Sequence, residues 1–257
     1  MKVSVLASGS KGNSTYIETS ESKLLIDIGT SCLYIERNLK EMGIDPNEID
    51  GILLTHTHVD HVQGLRVFIK KYKTKVYLSE IMYKELMKEM YIANYEIIDI
   101  DFSIKDINVK VLKTSHDTDD SNGYILKNAT SSLAYITDTG YIHRKYYKDL
   151  DNLNLYVMES NHDVEMLMNG RYPYHLKQRI LGDRGHLSNA DSASYLNKFI
   201  GPKTEQIILI HLSEENNTEE LALDTLKTSL EENDNNMVNI IISTQTNRTE
   251  LVEIWLK

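Results

Sequence analysis

Directly after the apolar run Gly51-Ile52-Leu53-Leu54, the segment Thr55-His56-Thr57-His58-Val59-Asp60-His61 concentrates three imidazoles and a carboxylate. A strand that runs into such a loop delivers these side chains to one place. Neutral imidazole nitrogen and carboxylate oxygen form the donor set that a borderline divalent cation accepts. The competing reading is a polar loop whose histidines cap the following helix. Three of only nine histidines at these spacings favour ligation. The single cysteine, Cys32, has no partner for a disulfide or a thiolate cluster, so any metal must be held by His and carboxylates.

The surrounding pattern supplies elements to carry such a loop. Alternating or β-branched runs predict strands at Val3–Ala7, Tyr16–Thr19, Lys23–Ile28, Gly51–Thr55, Lys75–Ser79, Val109–Thr114, Gly123–Lys127, Leu133–Thr137, Leu155–Glu159, Gln206–His211, Val238–Ser243 and Glu250–Trp255. Amphipathic spacing predicts helices over Ser31–Met42, Val62–Tyr72, Glu80–Met90, Asn189–Phe199 and Glu219–Leu230, the last capped by Asn217 with Glu220 following. Early strands neighbour one another and later ones alternate with helices, which fits two mixed sheets covered by helices better than a doubly wound parallel sheet. With no Pro/Gly/Ser-rich linker and no internal repeat, a single domain over residues 1–257 is expected.

Composition sets the outer bounds. At 257 residues, 41% hydrophobic, 26% charged and a mean hydropathy of −0.38, the chain is long enough for a sizeable core and is not a disordered or fibrous sequence. No apolar run approaches the ~20 residues of a membrane span, and the N-terminal apolar stretch is too short for a secretory signal. A cytoplasmic protein without a membrane partner is expected. The net charge of −10 is uneven: residues 213–236 hold eight acids and one base, −7, leaving −3 for the remainder. Two divalent cations would bring that remainder to about +1, compatible with a polyanionic substrate. The acidic stretch itself offers a face for a protein partner.

The His loop matches at every specified position the HxHxDH signature of the metallo-β-lactamase superfamily, which this sequence resembles. That resemblance implies an αββα sandwich of two mixed sheets flanked by helices. It also implies further site residues in order: Asp27 in Leu24-Leu25-Ile26-Asp27-Ile28-Gly29, His116 in Thr114-Ser115-His116-Asp117, Asp138 in Thr137-Asp138-Thr139-Gly140, and His211 in Ile210-His211-Leu212-Ser213. The implied assignment is one metal on His56, His58 and His116, a second on Asp60, His61 and His211, and Asp138 bridging both. Asp60 and Asp27 join the catalytic set, Asp27 by orienting the His loop. His58 and Asp138 stand where other branches carry redox-site or β-lactamase residues, which favours hydrolysis. Two cations, manganese or zinc, would activate water and neutralise charge building on phosphorus or carbonyl.

The later motifs bear on substrate. Glu159-Ser160-Asn161-His162 follows an apolar strand, and Gly185-His186-Leu187-Ser188-Asn189 opens a helix. Nucleic-acid-processing members pair such a Glu and His so that the His protonates the leaving oxygen, which implies Glu159 and His186 here. Taken alone, they read equally as a sheet-end acid and a helix-capping residue. Ser160, Asn161 and His162, together with Arg171, Lys177, Arg179 and Arg184, are candidates for gripping substrate, the basic four at flanking phosphates. Ala7-Ser8-Gly9-Ser10-Lys11-Gly12-Asn13-Ser14 taken alone reads as a flexible hairpin. With the other motifs it resembles the YycJ/WalJ branch, which implies a 5′-to-3′ DNA exonuclease linked to mismatch repair, acting on DNA with free 5′ ends. A hydrolase of a small cyclic phosphodiester or thioester is the rival enzyme. A non-catalytic, metal-stabilised interaction protein is the rival outside enzymology.

Overall fold

The computed structural model describes residues 1–233 and 238–255. Its strands sort into two seven-stranded mixed sheets flanked by helices. The chain folds as two compact units, Met1–Val111 with Thr118–Asn122 and Thr244–Glu253, and Leu112–Asp117 with Gly123–Ser243 and Ile254–Lys257.

In the first unit, β1 (Lys2–Ala7), β2 (Ser14–Glu18) and β3 (Lys23–Ile26) form an antiparallel meander. Helix α1 (Cys32–Glu41) then crosses to β4 (Gly51–Leu53), parallel to β3. Helices α2 (Val59–Val62) and α3 (Leu65–Tyr72) lead to β5 (Lys75–Leu78), and α4 (Glu80–Leu86) leads to β6 (Tyr95–Ile97), both strands again parallel to their predecessors. The hairpin of β7 (Phe102–Ile104) and β8 (Ile107–Lys113) follows. Side chains such as Leu6, Leu25, Ile52 and Val76 meet Ile35 and Leu39 of α1 and Leu65 and Phe68 of α3, all buried. Each such residue stabilises the fold by ~1.5–3 kcal/mol on removal from water.

In the second unit, β9 (Asn122–Lys127) pairs antiparallel with β10 (Ser132–Ile136). The short α5 (Tyr147–Leu150) precedes β11 (Leu155–Glu159), and α6 (Val164–Asn169), α7 (Tyr174–Leu181) and α8 (Asn189–Phe199) precede β12 (Gln206–Ile210). Helix α9 (Glu219–Glu231) leads to β13 (Asn239–Ile242), so β10 through β13 are all parallel. The last strand, β14 (Val252–Glu253), returns to β1. The sheet orders are β14-β1-β2-β3-β4-β5-β6 and β13-β12-β11-β10-β9-β8-β7.

The expected elements are present, with instructive differences at their ends. Ser31, Ser79 and Ser188 cap α1, α4 and α8 with side-chain oxygens, fixing those starts. Helix α9 is capped by Thr218, not by Asn217, whose amide instead donates to the Ser160 and Asn161 carbonyls in the interior. Strands β6 and β7 escape sequence pattern because each is three residues long and largely outside the core. The acids of α9 and the loop before it, Glu214, Glu215, Glu219, Glu220, Asp224, Glu231 and Glu232, are exposed; residues 234–236 of that acidic stretch lie outside the described residues. Among the described residues no helix is long and apolar enough to cross a membrane.

Candidate active site

Three of the expected site residues sit one or two positions beyond a strand in the left-handed region, Asp27 at φ 58°, Asp138 at φ 51° and His211 at φ 58°. That conformation costs a non-glycine residue ~1–2 kcal/mol. It turns each chain sharply out of its sheet, which is why the strands stop one or two residues short of the pattern in sequence. Strain of this kind gathers where side chains must be aimed.

In the first unit, Asp27 is wholly buried at the end of β3. Its Oδ1 accepts the Thr55 backbone N–H at 2.8 Å, and its Oδ2 accepts the Thr55 hydroxyl at 2.7 Å and lies 2.8 Å from His61 Nδ1. Burial pushes the Asp27 carboxyl up from its ordinary value, while His61 and the Thr55 bonds act the other way. With Nδ1 held by Asp27, His61 turns its Nε2 toward Asp60 Oδ2 at 3.5 Å, an orientation typical of a metal-ligating imidazole and its supporting carboxylate. His56 Nε2 and His58 Nδ1 are 3.0 Å apart, and the His56 and His61 rings are 4.0 Å apart between centroids. The four expected donors of the His loop therefore converge.

The hairpin between β1 and β2, read in sequence as a flexible connection and a branch motif, carries a site residue that the sequence did not single out. Its Asn13 is buried, donates its backbone N–H to Asp60 O at 2.8 Å, and brings its side-chain nitrogen within 3.0 Å of His61 Nε2 and 3.3 Å of Asp60 Oδ2. The hairpin is thus tied to the His loop. A Cβ on Gly29 would lie 1.7 Å from Asp60 O, so only glycine lets the two backbones approach. The signal available in sequence was the pair of glycines before Asn13, Gly9 and Gly12, both at positive φ.

In the second unit, Glu159 closes β11 and is wholly buried. Its Oε1 lies 2.6 Å from His186 Nδ1 and 3.0 Å from His211 Nδ1, and its Oε2 accepts the Thr139 N–H at 3.0 Å. Asp138 Oδ1 is 3.4 Å from His211 Nδ1 and 3.7 Å from both His186 Nδ1 and His116 Nε2. Asp138, Glu159, His186 and His211 present possible ligand atoms within 4.8 Å of one another. His116 Nδ1 lies 3.3 Å from the Gly185 carbonyl.

Charges in this cluster are set by the same contacts. Burial alone would push Glu159 up, but the His186 charge and hydrogen bonds from His186 and His211 override it and hold the carboxylate well below its usual range. Burial would lower His186, and Glu159 reverses that, so the imidazole keeps its proton above the ordinary His range. Desolvation pushes His116 down, leaving it neutral and able to ligate. A protonated imidazole braced by a buried carboxylate is equipped to give a proton to a leaving oxygen. Carboxylates and imidazoles of both units have the chemistry a divalent cation requires.

The residues expected at substrate divide by burial. Ser160 is buried and donates to Asn189 Oδ1 at 2.7 Å, and Asn161 is buried and donates to the His211 carbonyl at 3.0 Å, bracing the β12 end. Neither is presented to a substrate; both support the loop beneath His211. Lys177, expected at a phosphate, is buried and donates its ammonium to the Met168 carbonyl at 2.7 Å and the Gly170 carbonyl at 2.8 Å, joining α6 to α7. His162 is buried with no hydrogen-bond partner for either ring nitrogen among the described residues, and desolvation pushes it down to about 4. Arg184 Nε donates to the His116 carbonyl at 2.9 Å, Arg179 pairs with Asp117, and Arg171 is exposed. The Arg179 and Arg184 head groups thus lie beside the His116–Asp117 turn.

Residues 23–212 match the model of the β-lactamase superfamily domain, and the chain belongs to that superfamily. Its fold agrees: the chain superposes with a TM-score of 0.72 on the metallo-β-lactamase fold protein YhfI from Bacillus subtilis, at 14% identity, covering 97% of this chain and 99% of that one. Within the superfamily it falls in the YycJ/WalJ branch. It is 41% identical over 237 residues to exodeoxyribonuclease YycJ of Bacillus anthracis, spanning 89% of each chain. It is 39% identical over 245 residues to exodeoxyribonuclease WalJ of Streptococcus pneumoniae serotype 2, spanning 91% of this chain and 89% of that one.

Proposed function

We propose that this protein is a divalent-metal-dependent phosphodiesterase that removes nucleotides from the 5′ ends of DNA. The observation that carries the reading is the Glu159–His186 pair, a 2.6 Å contact that keeps a proton on an imidazole next to Asp138. Phosphodiester cleavage leaves an alkoxide, which needs that proton. His186 supplies it, and Glu159 holds the ring and compensates its charge. The names of the relatives, both exodeoxyribonucleases, support DNA as the substrate.

Divalent cations, manganese or zinc and two in number, would be held by His56, His58, Asp60 and His61 of the first unit and by His116, Asp138 and His211 of the second. When bound, they would supply Lewis acidity and an activated water. Asp27 and Thr55 fix the His61 ring, Asn13 fixes Asp60, and Asn161 fixes the backbone of His211. Arg171, Arg179 and Arg184 contact flanking phosphates.

The test uses an oligonucleotide labelled at its 5′ end, a closed-circular DNA and a small cyclic phosphodiester, each with manganese, zinc or magnesium added in turn. Early release of a labelled mononucleotide or very short fragment is expected. A ladder that shortens from the 3′ end, or cutting of a closed circle, overturns the polarity. Inactivity on every DNA together with hydrolysis of a small cyclic phosphodiester overturns the substrate.

A further inference from the structure

In the first unit, a cleft of about 640 Å³ opens between α3 and the chain that follows α4. Ile69 and Met90 form its apolar lining, Tyr91 stands beside them, and Arg66, Lys70 and Lys73 ring it. None of these residues belongs to the metal-ligand set or the proton-donating pair.

The cations of this cleft differ from their neighbours. Lys71 is paired with Glu36 at 3.0 Å, Lys75 with Glu96 at 2.6 Å, and Lys84 with Glu80 at 2.6 Å. Among the described residues Arg66, Lys70 and Lys73 form no ion pair: Arg66 donates to the Glu89 backbone carbonyl, and Lys73 donates to the Lys70 carbonyl at 2.8 Å. Three cations without an ion pair thus meet in one cleft, with Glu89 the one acid in its lining. Their spacing, 66, 70 and 73, follows one face of α3 and its C-cap. That row begins five residues after His61.

The apolar part narrows the ligand. Tyr91 is 78% exposed, a large ring left in water beside the cationic row. A duplex keeps its bases stacked inside and gains nothing from such a ring. An unpaired strand offers both phosphates to the cations and free base faces to the ring, the combination by which single strands are held without sequence preference. We propose that this cleft is an accessory site for a single-stranded stretch of the DNA substrate, feeding or retaining the strand during successive cuts. The inference rests on the nuclease reading above and adds to it a binding surface outside the reacting centre.

The experiment measures binding of a fluorescent 20-nucleotide oligothymidylate in chelator, as a function of salt, alongside manganese-supported hydrolysis of bis(p-nitrophenyl) phosphate, a probe too small to reach the cleft. In the triple variant Arg66→Gln, Lys70→Gln and Lys73→Gln, the log–log salt slope should shrink by about 2, at ~0.7 per lost phosphate contact on a single strand. Tyr91→Ala should weaken binding about tenfold, and Tyr91→Phe should restore it. Small-probe hydrolysis should be unchanged in all of them, which also shows that they fold. A triple variant with wild-type slope and affinity, while the wild type shortens the oligonucleotide, overturns the cleft assignment alone. A wild type that hydrolyses the small probe but neither binds nor shortens the strand overturns the nuclease reading, and the cleft assignment with it.

Discussion

The substitution Asp27→Asn tests whether the buried carboxylate orients a metal ligand or merely packs. Asparagine has the same shape and tolerates the left-handed φ of 58° at this position, so the backbone is not disturbed. It keeps an acceptor for the Thr55 N–H but places an amide NH₂ where Oδ2 now meets the Thr55 hydroxyl at 2.7 Å and His61 Nδ1 at 2.8 Å. Hydrogen bonds to a charged group are worth ~1.5–3 kcal/mol each. Thr55 can rotate its hydroxyl and His61 can change tautomer, so the net loss is smaller than two such bonds, about 2–3 kcal/mol. In a chain of this size that lowers the melting midpoint by ~2–4 °C per kcal/mol. The tautomer change matters more for function: once Nδ1 accepts from the amide, the proton resides on Nε2, and the lone pair a cation needs is gone. Loss of such a supporting contact weakens metal binding ~10–100-fold. Competition with a chelator for zinc measures the affinity, and thermal denaturation of the metal-free protein measures stability. A variant that loses stability yet binds zinc as tightly as the wild type would refute the orienting role of Asp27.

Further outcomes follow from other contacts. His186→Ala should leave metal content intact and lower turnover by about 10²–10⁴; loss of a metal ion instead would place His186 among the ligands. Lys177→Met removes the ammonium that bridges the Met168 and Gly170 carbonyls and should destabilise by ~1–3 kcal/mol. It should not alter the salt dependence of strand binding, and any change in that slope would return Lys177 to the phosphates. Burial, with help from Glu36, pushes the Cys32 thiol up to about 12. At pH 8 a thiol reagent should therefore label native protein at least ~100-fold more slowly than unfolded chain. Because the folded value lies above the ordinary one, the thiol's contribution to stability is intact below about pH 9 and lost as pH rises toward 12; Cys32→Ala should flatten that decline.

The amino-acid sequence by itself determined the His loop, the strand that carries it and the two-sheet plan, because these are written in short-range patterns. Alternating apolar residues select strands, spaced ones select helices, and His56, His58, Asp60 and His61 lie within six residues of one another. Order along the chain, compared with a family signature, also placed Asp27, His116, Asp138, Glu159, His186 and His211. Tertiary structure alone decided what those side chains touch. The Asn13 contact with Asp60 spans 47 residues and depends on a bare Gly29; Gly9 and Gly12 mark a tight turn in the hairpin, but they do not name its partner. Lys177 reads in sequence as any surface cation, and only the meeting of α6 and α7 brings the Met168 and Gly170 carbonyls to its ammonium. The sharp turns at Asp27, Asp138 and His211 have no local sign either: no glycine or helix cap marks them, and contacts distant in sequence, such as Thr55 and His61 on Asp27, hold them.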